Sequence, residues 1–165
     1  MAVPIPSLKH KDYFSLPELA FFKRAYWRKN DIKWGKQHMI EFLINLHSAW
    51  ILDFRKDVSS PIFYGDISLN GGGDLRPSHN SHRTGVDIDI FIIRQDGQNK
   101  PTDFGQRKDY DLDRTLRLAQ LIVQVAGINL VKLFYDDPDV KGKVSKITSS
   151  EGPHRDHLHV RLRER

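Results

Sequence analysis

Cysteine is missing from the 165-residue chain altogether. Disulfides, thiolate zinc fingers and cysteine nucleophiles are thereby excluded, and any metal must be held by His, Asp or Glu. No apolar run approaches the ~18 residues that a membrane-spanning helix needs, so no membrane span is expected. The opening segment MAVPIPSLKHKDYF puts prolines and lysines where the apolar stretch of a secretory leader would stand. No signal peptide is therefore expected from it. Repeats, low-complexity tracts and linkers are absent too, which suits one domain over residues 1–165.

What is present is ordinary globular material. Hydrophobic residues make up 39% and charged residues 28%, enough apolar side chain to build a core. The net charge of +5 and a pI of about 9.5 favour anionic partners: nucleic acid, acidic lipid or an anionic wall polymer.

Helical signals fall in three places. Pro17 to Arg28 reads as a short helix, with Ser15 as N-cap and Glu18 in the first turn. Residues 35–50 carry Met39, Ile40, Leu43, Ile44 and Leu46 at helical spacing; His38 and His47, on the same stretch, read as surface or core histidines. Residues 111–126 give the clearest pattern, with Asp111 as N-cap and Leu112, Leu116, Ala119 and Ile122 on one face. Strands are expected at 61–69, 85–93, 130–135 (buried) and 156–162. NGGG at 70–73 breaks the first of them, as a turn or as a flexible rim beside a site. Residues 136–153 read as a polar loop.

Five of the eight histidines sit in two short clusters, His79 and His82, then His154, His157 and His159. Strand parity gives them a geometry. In GVDIDIFII, Val86, Ile88, Ile90 and Ile92 face one way, and Asp87, Asp89 and Phe91 the other. In the last strand His157, His159 and Arg161 share one face, and Leu158, Val160 and Leu162 share its opposite. If the two strands lie in one sheet, their polar faces converge on a single patch. Imidazole and carboxylate suit zinc, and three such ligands leave a fourth position open. His82, seven residues before Asp89, can swing back over the strand end because Gly85 lets the chain turn.

The pair of motifs, SHRTGVDID with His82, Gly85 and Asp89, and later His157-Leu-His159, resembles that of the LAS metallopeptidases. That group takes in lysostaphin-type enzymes, D-Ala-D-Ala peptidases and the hedgehog signalling domain. Within it the chain is most similar to the penicillin-insensitive murein endopeptidases, which share His79 three residues upstream of the first ligand and the His154-x-x-His157-x-His159 spacing. The resemblance spans roughly residues 31 to 162, which makes that stretch the catalytic core and residues 1–30 an N-terminal helical extension. It implies an α+β fold, a small central antiparallel sheet carrying the zinc site on one face and flanked by helices. It implies His82, Asp89 and His159 as zinc ligands, His157 as the group that orients or deprotonates water, and His154 as a second histidine steadying the oxyanion. His79, Asp87 and Arg161 are left as supporting or substrate-binding residues. Asp87 competes with Asp89 as ligand and is read as a supporting residue; Asp156 or, more weakly, Glu151 competes with His157 as base, and parity, which turns Asp156 away from the His159 face, favours His157.

The implied activity is zinc-dependent hydrolysis of amide bonds in murein stem-peptide crosslinks, such as the D-alanyl–diaminopimelate bond. Peptidoglycan is the implied partner, and the periplasm or cell wall the place of action. With no signal peptide expected, the route there is a phage lysis system, a dedicated secretion machine, or origin as an excised domain. A zinc-containing binding module without turnover remains the competing reading. A metal nuclease is disfavoured, because six residues after His159 do not make the ligand-bearing helix of ββα nucleases.

Overall fold

A computed structural model describes residues 12–28, 31–54, 60–75, 81–148 and 152–165. Its centre is a five-stranded sheet in the order β2-β4-β5-β7-β6, formed by Phe22–Arg24, Ile62–Tyr64, Asp87–Phe91, His157–Leu162 and Leu130–Phe134 in that spatial order. Tyr13–Ser15 (β1) and Trp34–Lys36 (β3) make a separate antiparallel pair. Two helices, Gln37–Asp53 (α1) and Leu112–Ala126 (α2), complete the α+β architecture, with a single turn of helix at Pro138–Lys141 (α3).

Each helix forms for reasons visible in its residues. Met39, Ile40, Leu43, Leu46 and Trp50 of α1 are all buried, one continuous stripe at helical spacing. The Trp50 indole donates to the Ser60 carbonyl at 2.9 Å, so its polar edge is satisfied inside the core. In α2 the Asp111 side chain accepts from the Arg114 amide at 2.9 Å, as an N-cap should. Leu118, Ala119, Leu121 and Ile122 turn inward. Thr115 Oγ1 accepts from the Ile93 amide at 3.0 Å, which ties α2 to the end of β5. Both helices share one core cluster with Ile88, Ile90, Leu158 and Val160. Among the described residues the opposite sheet face carries a small apolar cluster, Ala25, Phe63 and Phe91, with Phe134 stacked on His159, beside the polar side chains of β5 and β7.

The β5–β7 pairing sets the site. The strands are antiparallel with Asp87 opposite Arg161, Asp89 opposite His159, and Phe91 opposite His157. Directly opposed side chains stand about 5 Å apart on the same face. The alternation expected from sequence is thus realised on both strands.

Several expectations are corrected. The helix at Pro17–Arg28, and with it the helical character of an N-terminal extension, is replaced by a turn and β2, which pairs parallel with β4. That one pairing makes the sheet mixed, the other contacts within it being antiparallel. Its cause is non-local: Ala25 N–H donates to the Tyr64 carbonyl at 2.9 Å across forty residues of chain. The strand at 130–135 is an edge strand rather than a buried one, with Val131 half exposed and a register shift between Leu130 and Lys132. The polar loop at 136–153 hides α3 and three core side chains, Val140, Val144 and Ile147.

Gly85 holds the approach to β5 in place. Its φ is +77°, and a Cβ there would lie 2.9 Å from the Tyr13 ring and 3.0 Å from the Lys36 amide nitrogen. Its carbonyl accepts from that same amide at 2.9 Å. Gly85→Ala should therefore cost about 1–3 kcal/mol of stability. An unchanged denaturant midpoint would show that the turn is not the constraint described.

Candidate metal centre

The site is built on the sheet face away from the helices. Asp89 comes from the middle of β5 and His159 from the middle of β7. His82 arrives from the preceding loop with φ of +63°, a left-handed conformation that non-glycine residues adopt rarely. Strain of this kind persists only where the surroundings enforce it. Here the His82 amide donates to Asp87 Oδ2 at 3.3 Å, which fixes the loop on the strand it precedes.

One donor atom from each of His82, Asp89 and His159 lies within 4.8 Å of the other two, and all three residues are buried. His82 Nε2 is 3.2 Å and His159 Nδ1 3.0 Å from the same oxygen, Asp89 Oδ1. The remaining ring nitrogens face oxygen acceptors. His82 Nδ1 is 3.1 Å from the Ile67 carbonyl, and His159 Nε2 is 3.1 Å from Asp87 Oδ1. A carbonyl accepts only, so with a cation at the shared centre the Ile67 carbonyl would keep the proton on His82 Nδ1 and leave Nε2 free to ligate. For His159 the Asp87 carboxylate would play the same part at Nε2. An imidazole with one nitrogen anchored on an oxygen and the other turned to a shared centre is the arrangement that metal-binding histidines adopt. The residues present therefore fit a divalent cation with a nitrogen and oxygen donor set.

Charge accounts for the ionisation states. Burial alone would raise the Asp89 carboxyl, but His82 and His157 beside it, with hydrogen bonds from His159 and His82, hold it well below the usual range. Burial opposes charge on His159, yet hydrogen bonds to Asp87 and Asp89 and their negative charges raise it to about 9. Asp87, against the pull of burial, is lowered to about 2 by hydrogen bonds from His159 and Arg161.

His157 and His154 flank this trio. His157 Nε2 is 3.5 Å from Asp89 Oδ1, and its Nδ1 is 2.6 Å from Asp156 Oδ1. Asp156 is thus a partner of His157, with its carboxylate on the nitrogen remote from Asp89. Burial disfavours the charged His157 ring, but Asp89 and the Asp156 hydrogen bond raise it. His154 is held from both sides by Asp136: its amide donates to Asp136 Oδ2 at 2.6 Å, and its carbonyl accepts from the Asp136 amide at 3.0 Å. Its ring centre lies 4.9 Å from that of His157 and 5.5 Å from that of His159. Burial and His157 lower its pKa, while a hydrogen bond to the Gly152 carbonyl acts the other way. His154, His157 and His159 also bring one donor each within 4.8 Å, a second trio that shares His159 and is more exposed.

Arg161 lies across Asp87, with Nε at 2.8 Å from Oδ1 and Nη2 at 2.9 Å from Oδ2. It occupies a salt bridge on the sheet face. His79 and Glu151 lie outside the described residues. His38 and His47 are on α1, each half buried with Nε2 unpartnered among the described residues.

Sequence reasoning missed Arg28 and Asp66. Arg28 ion-pairs with Asp66, which also receives Arg24 at 3.2 Å, and its guanidinium stands 3.9 Å from Asp89 Oδ2. Asp89 thus meets histidines at one oxygen and a guanidinium near the other. No local signal marks this contact, because it joins the turn after β2 to β5.

The family model of the penicillin-insensitive murein endopeptidases matches residues 16–140. The chain belongs to that family. The matched stretch includes His82 and Asp89 and ends before β7. Among curated relatives, penicillin-insensitive murein endopeptidases of two Klebsiella pneumoniae strains, MGH 78578 and 342, are each 28% identical over 125 residues. Each alignment takes in 62% of this chain and 45% of the relative. The chain thus spans less than half the length of the curated endopeptidases it matches.

Proposed function

We propose that the protein is a zinc-dependent peptidoglycan endopeptidase that hydrolyses amide bonds in stem-peptide crosslinks, such as the D-alanyl–diaminopimelate bond. The observation that carries this is the meeting of His82, Asp89 and His159 at one buried point with two further histidines alongside. Membership of the family supports the substrate class, and the positive net charge suits an anionic polymer. The place of action is then the periplasm or cell wall, where that polymer lies.

His82 Nε2, an Asp89 oxygen and His159 Nδ1 would hold the zinc. When bound, zinc brings the pKa of water from 15.7 to about 7 and polarises a carbonyl oxygen. The protein's own groups move the protons. Asp156 fixes the His157 ring through Nδ1, leaving Nε2 to accept a proton from the attacking water and return it to the leaving amine. His154 donates to the oxygen that gains negative charge. That role needs the imidazolium, with Nδ1 donating to the Gly152 carbonyl and Nε2 to the oxygen, a charged form that the carbonyl supports and that burial and His157 oppose. Asp87 and Arg161 hold His159 and the His82 loop in register.

Digestion of defined crosslinked muropeptides, followed by mass, tests the reading. Zinc-loaded protein should convert dimers to monomers, and a chelator should stop the reaction. Persistence of dimers with a full equivalent of zinc bound would sink the proposal and leave the binding module.

A further inference from the structure

Beside the catalytic histidines lies a cleft of about 380 Å3 that the proposed mechanism does not use. It is lined by Thr102, Asp103 and Gln106 on one side and by Pro153, Arg155 and Asp156 on the other. Asp156 places it next to the site. The same carboxylate that walls the cleft is bonded to His157 Nδ1, and His157 Nε2 faces Asp89. The cleft is therefore one imidazole away from the proposed ligands.

Its polar groups are of both signs and are held in place. The Arg155 guanidinium lies 4.5 Å over the Phe104 ring and is 3.4 Å from Asp103 Oδ1. Gly105 makes that placement possible, since a Cβ there would come within 3.0 Å of Arg155 Nη2 and 2.9 Å of Asp103 Oδ1. The Gly105 amide donates to the same Asp103 oxygen at 2.6 Å. Gln106 Oε1 accepts from Thr102 Oγ1 at 2.9 Å and from the Asp103 amide at 3.0 Å. An amide whose oxygen is doubly engaged offers its NH2 group outward. Arg155 and Gln106 thus present donors, while Asp103 and Asp156 present carboxylates that are 37% and 45% exposed.

We propose that this cleft is a substrate subsite for a side-chain terminus bearing an ammonium and a carboxylate on one carbon, with Arg155 and Gln106 meeting the carboxylate and Asp103 and Asp156 the ammonium. In a crosslinked dimer the diaminopimelate of the stem that donates the D-alanine has such a terminus, while the one at the scissile bond has its amine in the amide, so the cleft would receive the former, and the inference rests on the peptidase reading above. A flat, pre-oriented guanidinium suits carboxylate recognition because both partners are planar and little ordering is needed on binding. Paired donors and carboxylates disfavour a substrate in which either charge is removed, since the matching protein group is then left without its partner.

The test compares crosslinked dimers whose D-alanine-donating stem carries free diaminopimelate with dimers in which the side-chain carboxylate of that same residue is a carboxamide. Wild-type protein should show KM about tenfold lower for the free acid, the scale of a partly exposed charge-assisted contact, with kcat within twofold. Arg155→Ala should raise KM for the free acid about tenfold and leave the carboxamide unaffected; Arg155→Lys should recover part of the loss. Equal KM for both substrates in the wild type, or equal losses on both in Arg155→Ala, would overturn the subsite while leaving the peptidase reading standing. Calorimetry with the monomeric tripeptide ending in diaminopimelate needs no turnover. Binding that weakens on amidation and in Arg155→Ala supports the subsite even if no dimer is cut; binding indifferent to both removes it.

Discussion

His157→Ala should lose ~10²–10⁴-fold in kcat while keeping a full equivalent of zinc. The separation follows from position. His157 Nε2 is 3.5 Å from Asp89 Oδ1, close enough to serve a water at the centre, yet the buried trio is complete without it. Removing the ring leaves Asp156 beside solvent, where an unpaired carboxylate costs little. Stability should therefore barely change. The measurement pairs dimer digestion with metal content and a chelator competition. Unchanged turnover would show that another group takes the proton. Loss of zinc along with turnover would make His157 a ligand and point to the second histidine trio.

Asp87→Ala should cost about 3 kcal/mol of folding stability and weaken zinc binding about 10- to 100-fold. Asp87 has no exposed surface, and its carboxylate joins three things. It accepts the His82 amide, which holds a left-handed residue in place; it accepts His159 Nε2; and it receives both nitrogens of Arg161. Deleting it strands a guanidinium and frees the His82 loop and the His159 ring, both proposed to ligate. Asp87→Asn keeps the shape and an acceptor, so it should lose less in stability than alanine does. Urea unfolding of the metal-free protein and zinc competition on the folded protein read the two effects separately. Complete loss of zinc in Asp87→Ala with retention in Asp89→Ala would reverse the choice between the two carboxylates.

The strand faces at the centre were legible because parity is a local property. Any pairing that buries Ile88 and Ile90 must turn Asp87 and Asp89 the other way, and the same holds for Leu158 and Val160 against His157 and His159. The Asp111 cap was legible for the same reason. The N-terminal segment was not. Leu19, Phe22 and Ala25 recur at a spacing that suits a helix, but the partner that makes Phe22–Arg24 a strand is β4, forty residues on. Non-local pairing of this kind overrides local propensity. Val140, Val144 and Ile147 were concealed by the charged residues between them. Arg28 and Asp66 belong to no motif and meet only because β2 and β4 are neighbours.

The facing of β5 and β7 has a consequence for how the chain finds its structure. A slip of one residue would turn one of these strands over relative to the other, driving either Asp87 and Asp89 or His157 and His159 against the helices and that strand's apolar side chains to solvent. Desolvating two such groups without their partners is costlier than the apolar exposure alone. The side chains proposed to carry the chemistry are thus also the ones that disfavour the wrong alignment. A chain that has paired β5 with β7 correctly has already assembled Asp89 and His159, and one that has not cannot settle into a core at all.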